Sequence, residues 1–159
     1  MWGRAWAAGY DRFMAREDRK GAADLRARRR AREATVPVEV IDGDGMKLPF
    51  ADGSFDTVVA GWVLCTIPDP ERALAEARRV LCDGGTLRFC EHVRADDPGL
   101  ARWQDRLAGP WRWIARGCRA NQDTVGLMRQ AGFDVADVEC FTFRPAPALA
   151  RPHAIGVVR

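Results

Sequence analysis

The run Phe55-Asp56-Thr57-Val58-Val59-Ala60-Gly61-Trp62-Val63-Leu64-Cys65 constrains this chain most. It is apolar and β-branched, turns at Pro68-Asp69-Pro70-Glu71, and is followed by a double glycine at Gly84-Gly85. A buried strand, a tight turn and a capped helix are the expected reading. Asp69 suits the cap and Pro70 the first helical position. Leu74, Ala77 and Leu81 form the inward stripe of that helix, with Ala73 and Val80 beside it. Residues 86–93 then alternate, placing Leu87, Phe89 and Glu91 on one face and Arg88, Cys90 and His92 on the other. A connection this short forces the two strands parallel, with a right-handed crossover. The unit is half of an open α/β sheet, whose ligands bind at the carboxyl rim of the strands.

Two further segments are expected to reach that rim. Residues 36–41, Val36-Pro37-Val38-Glu39-Val40-Ile41, read as a strand that breaks into the turn cluster Asp42-Gly43-Asp44-Gly45. The rim then gathers Asp42 to Gly45, Gly61 to Cys65, and Glu91-His92 from three separate places. Glu91 and His92 are the candidate catalytic pair, because a carboxylate and an imidazole at a ligand rim can polarise or deprotonate an acceptor.

Upstream, residues 5–34 lack proline outright and carry Trp6, Tyr10, Phe13, Met14 and Leu25 at helical spacing. Gly9 and Gly21 weaken that helix, and residues 26–32 read as a solvated stretch. Downstream, Trp103, Leu107, Trp111 and Ile114 form a stripe on a cover helix interrupted at Gly109-Pro110. Asn121 or Asp123 caps a helix ending at Gly132. Residues 135–144 and 153–158 complete the strands.

With 159 residues, 47% of them hydrophobic and 30% charged, one globular domain spanning residues 1–159 is expected. The formal charge is only +3. Residues 11–33 hold nine basic and five acidic side chains, so the excess is local and predicts no nucleic-acid partner. The five cysteines, Cys65, Cys82, Cys90, Cys118 and Cys140, include no C-x-x-C pair. Neither a disulfide framework nor a metal site is expected from that spacing. No uncharged run is long enough to span a bilayer, and the start has no secretory pattern, so a cytoplasmic location is expected.

Several segments together resemble the methyltransferase type 11 family of class I S-adenosylmethionine-dependent methyltransferases. They are Asp44-Gly45-Met46-Lys47-Leu48-Pro49-Phe50, Phe55-Asp56-Thr57-Val58-Val59, Trp62-Val63-Leu64-Cys65, Arg79-Val80-Leu81-Cys82-Asp83-Gly84-Gly85 and Glu91-His92-Val93. Gly117-Cys118-Arg119-Ala120-Asn121-Gln122-Asp123-Thr124, the ending His153-Ala154-Ile155-Gly156-Val157 and the opening Tyr10-Asp11-Arg12-Phe13-Met14 are similar to the branch holding the mammalian methyltransferase-like thiol S-methyltransferases. The resemblance implies a Rossmann-like sheet with flanking helices and S-adenosylmethionine as cofactor. It implies adenine contact by Asp44 and Gly45, and a methionine-side border at Gly61 and Trp62. The implied reaction is methyl transfer to a small-molecule nucleophile, a thiol among the candidates.

The chain departs from that family at one place. The Gly-x-Gly-x-Gly loop and its two flanking strands have no counterpart between the first helix and residue 38, so the sheet reads as truncated. The alternative reading is therefore a non-catalytic remnant, a binding or scaffold module or a defective fragment, with an exposed sheet edge that favours homo-oligomers. A dehydrogenase is disfavoured, because the same loop is missing.

Overall fold

The computed structural model describes residues 5–7 and 22–159, with side chains from Arg28 onward. Among the described residues, five strands form one sheet in the order β1-β2-β3-β5-β4. They are β1 (Ala5–Ala7), β2 (Phe55–Gly61), β3 (Leu81–His92), β4 (Val138–Thr142) and β5 (Pro152–Val158). The first three are mutually parallel, whereas β5 runs antiparallel to both β3 and β4. The helices are α1 (Ala22–Glu33), α2 (Pro70–Val80), α3 (Pro98–Arg106), α4 (Ala108–Ile114) and α5 (Thr124–Gln130). The result is the α/β sheet with flanking helices that the sequence implied.

The β2–α2–β3 unit forms for the reasons its sequence suggested. Asp69 accepts the Arg72 amide at 3.0 Å and Pro70 opens α2. Ala73, Leu74, Ala77 and Val80 are the buried face, and they join Val58, Leu87, Met128 and Val158 in a continuous core. Leu81 leaves the helix to start β3. Pairing then slips from Phe55↔Leu81 to Thr57↔Thr86, so residues 82–85 bulge out. Gly84, at φ +75°, takes the left-handed conformation that this bulge needs.

Three expectations are corrected. Ala5 to Ala7, assigned above to a helix, are a strand that pairs with residues 57–59 of β2. Pairing there satisfies the backbone groups along the edge of β2, a gain that weak helical spacing near Gly9 does not match. Tyr10, Phe13 and Met14 lie outside the described residues.

Residues 36–41 are not a strand, and Val36 and Val38 stand 56% and 50% exposed. Pro37 has no N–H to give a ladder, and the place beside β2 is taken by β1.

The cover segment is two helices divided at Leu107, and Pro110 sits in the first turn of α4, where its missing N–H costs nothing. Its inward residues on α3 are Ala101 and Gln104, while Trp103 is 55% exposed. Gln104 explains this orientation. Its amide donates to the carbonyls of Val93, Ala120 and Leu149 and accepts the Ala95 N–H at 2.8 Å. Backbone groups from three separate segments held by one buried side chain outweigh the burial of one indole.

Asp123, rather than Asn121, caps α5, accepting the Gly126 amide at 2.8 Å. Among the described residues no helix is long and apolar enough to cross a membrane.

Candidate functional site at the carboxyl rim of the sheet

After Gly61 the chain leaves β2 through Trp62, whose backbone is left-handed at φ 51°. An L-residue other than Asn or Asp rarely adopts this conformation, which costs about 1–2 kcal/mol. Two contacts hold the turn in place. The Trp62 amide donates to the Cys90 carbonyl at 2.9 Å. Glu91 Oε1, fully buried at the end of β3, accepts the Val63 and Leu64 amides at 2.7 and 3.0 Å. Burial pushes the Glu91 carboxyl up to about 7, against the pull of those two amides. Its other oxygen has no hydrogen-bond partner.

The outer side of the turn is fixed by the segment before α5. The Arg119 amide donates to the Cys65 carbonyl at 2.9 Å, and its guanidinium donates to the carbonyls of Ile67 and Pro68. Gln122 donates to the Leu64 carbonyl at 3.0 Å.

Asp44 heads a tight turn and accepts the Met46 amide at 3.0 Å. Gly45 lies directly against the rim, since a Cβ there would stand 3.0 Å from Ile67 Cδ1. The turn is anchored on α2, where Arg72 donates to the Met46 carbonyl and Glu76 accepts the Leu48 amide. Gly61 faces open space, with nothing within 4 Å of a Cβ built on it. The Asp44–Gly45 turn, the Gly61–Trp62 strand end and Glu91 are thus joined through residues 62–67.

Trp62 is 47% exposed, and its indole N–H donates to His153 Nε2 at 3.0 Å. His153 Nδ1 stands 3.0 Å from the Arg151 carbonyl, which makes it the protonated nitrogen and Nε2 the acceptor. Burial lowers the His153 pKa, in keeping with that neutral ring. Phe141 and Phe143 pack on the same imidazole, with ring centroids 5.4 and 5.2 Å away.

His92 is not turned to open rim. It is buried, with Nε2 2.9 Å from Cys118 Sγ. Cys118 also accepts the Trp111 indole N–H at 3.0 Å. Hydrogen bonds from Cys65, then from His92 and Trp111, lower the Cys118 pKa, whereas its bond to Cys118 and its burial raise that of Cys65. Sequence reasoning gave no functional place to Cys118, Gln104, Gln122 or His153. Their irregular spacing carries no local signal.

A separate cleft of about 420 Å³, lined by Glu71, Arg78, Leu127 and Gln130, lies between α2 and α5 and includes none of the rim residues.

A mostly parallel sheet with one antiparallel strand, flanked by helices, and a strained strand end and an acid-headed turn meeting at its carboxyl rim define a class I methyltransferase fold. Comparisons agree. The family described as methyltransferase domain matches residues 13–89. Human thiol S-methyltransferase TMT1B is 36% identical over 122 residues, covering 74% of this chain and 48% of its own. Demethylmenaquinone methyltransferase of Thermobifida fusca is 35% identical over 108 residues, covering 66% and 45%. Among solved structures, a SAM-dependent methyltransferase of Thermotoga maritima is 25% identical with a TM-score of 0.66, over 99% of this chain and 83% of that one. The [4+2]-cyclase SpnF is 26% identical with a TM-score of 0.60, over 87% and 60%. The chain belongs to the class I S-adenosylmethionine-dependent methyltransferase family. It spans about half the length of the curated relatives it matches.

Proposed function

We propose that the rim binds S-adenosylmethionine and that the chain carries the part of a methyltransferase that aligns a small acceptor, a thiol by its likeness to the thiol S-methyltransferases. The observation that carries this reading is the junction of Gly45 with Ile67 and of Glu91 with Val63 and Leu64, which unites three segments distant in sequence. The residues present fit such a cofactor. A carboxylate at Asp44 suits an exocyclic amine, the open face of Gly61 admits close backbone approach, and the exposed Trp62 indole offers a flat apolar wall. When bound, the cofactor supplies a methyl carbon already activated by sulfonium, so the protein's task is alignment of donor and acceptor.

The roles expected for Glu91 and His92 change accordingly. Glu91 acts on the backbone of residues 63 and 64 and positions the strand end. His92, facing Cys118, does not meet the geometric requirement for a general base at the open rim.

Calorimetric titration with S-adenosylmethionine and with its demethylated product tests binding. Transfer of labelled methyl to a panel of small thiols then tests the acceptor. Saturable heat with both ligands supports the reading, and a folded chain giving none at millimolar ligand rejects it. The missing glycine loop favours one other outcome, a non-catalytic binding module, which predicts a folded protein without such heat.

A further inference from the structure

We propose that Cys65, His92 and Cys118 form a three-ligand site for a soft divalent cation, zinc by the chemistry of its donors. The three side chains come from the turn after β2, the end of β3 and the segment before α5. All are buried, and one donor atom from each lies within 4.8 Å of the other two. Tetrahedral zinc with bonds of about 2.3 Å to sulfur and 2.0 Å to nitrogen sets ligand atoms roughly 3.5–3.8 Å apart. The His92–Cys118 separation of 2.9 Å opens slightly on such an ion, and the remaining separations close by about 1 Å at most.

The frame that carries these donors is independent of their own hydrogen bonding. The backbone bond from Arg119 to Cys65 pins the residues beside both sulfurs, and the Arg119 guanidinium ties the same segment to Ile67 and Pro68. His92 and His153 are paired across β3 and β5, which fixes the root of the imidazole. The ring is oriented from its Nε2 side alone, because the buried Nδ1 has no hydrogen-bond partner. Trp111 adds an N–H to the Cys118 sulfur, the kind of outer hydrogen bond that orients a metal ligand.

Two cysteines and one histidine leave the fourth tetrahedral position open. Two thiolates neutralise a divalent ion, and their protons pass to solvent on binding. The site stands on this geometry and does not depend on cofactor binding at the rim.

The test uses the whole chain, purified under reductant, stripped with a chelator and titrated with Zn²⁺ against a chromophoric competitor. Cobalt(II) is then substituted. The expected result is one equivalent of metal, with visible d–d bands of tetrahedral cobalt and a near-ultraviolet thiolate charge-transfer band. Cys65→Ser and Cys118→Ser are expected to weaken binding by more than the roughly 10–100-fold of an outer-shell change. Cys140→Ser, at an exposed position, is expected to leave it intact. Should the serine variants fail to fold, alkylation of the native chain decides, with Zn²⁺ protecting Cys65 and Cys118 and leaving Cys140 reactive. A folded chain that retains no metal at micromolar Zn²⁺, a cobalt complex without the thiolate band, or a Cys65–Cys118 disulfide that leaves no thiols to ligate overturns the proposal.

Discussion

Glu91 accepts the amide proton of Val63 at 2.7 Å, a bond between residues 28 apart that couples the end of β3 to the turn after β2. The same oxygen takes the Leu64 amide, so one carboxylate satisfies two buried donors that have left the ladder. That coupling, more than any single rim residue, gives the strained Trp62 conformation its support.

Glu91→Ala is therefore expected to lower stability by about 3 kcal/mol, through two buried amides left without an acceptor. Glu91→Gln keeps an acceptor oxygen and is expected to recover more than half of that loss. Chemical denaturation followed by circular dichroism measures both. Equal losses in the two variants would assign the effect to the carboxylate charge, since glutamine keeps both the volume and an acceptor oxygen.

Gly45→Ala places a methyl 3.0 Å from Ile67 Cδ1 and is expected to cost about 1 kcal/mol. Ile67→Val removes the opposing methyl and costs a similar amount alone. Combined, the two should cost less than their sum, a coupling that a double-mutant cycle reads directly. Strict additivity would mean that the turn and the rim do not touch in solution.

Asp44→Asn retains an oxygen for the Met46 amide while removing the charge offered to an adenine amine. Affinity for the demethylated cofactor should fall about tenfold, or ~1.4 kcal/mol. Unchanged affinity in the calorimeter would remove Asp44 from the proposed pocket.

Glu76 is held at about 2, below its ordinary 4.5, chiefly by hydrogen bonds from Arg79, with the Leu48 amide adding to them. Because the folded value is the lower one, the unfolded chain binds more protons between the two. The stabilisation is complete above about pH 4.5 and is lost as pH falls toward 2. Solvent screening limits it to roughly 1 to 2 kcal/mol. Denaturation midpoints across acid pH should fall less steeply in Glu76→Gln than in the parent.

Gln104→Leu preserves volume but strips the acceptor from the Ala95 amide and the donor from three carbonyls. A loss of about 3 kcal/mol is expected, with faster hydrogen exchange at Ala95. Retained exchange protection there would place the support of α3 elsewhere.

The legible part of this fold was the part written in local periodicity. The apolar run of β2, the Asp69–Pro70 start of α2 and the alternation through Glu91 each follow from neighbours a few residues apart, and the structure has all three. The misread parts shared a cause. At Ala5 to Ala7, a vacant sheet edge outweighed weak helical spacing. On α3, the hydrogen bonds of Gln104 outweighed the larger apolar area of Trp103.

Residue order alone thus determined the α/β class, the crossover unit and the rim at which ligands of such sheets collect, because caps, turns and periodicity act over one or two turns of chain. Tertiary structure decided which groups meet there. Cys65, His92 and Cys118 adjoin only after β3 is laid beside β2 and the segment before α5 folds back across both. Burial, charge and donor geometry at that junction depend on distances through space, which no spacing along the chain encodes.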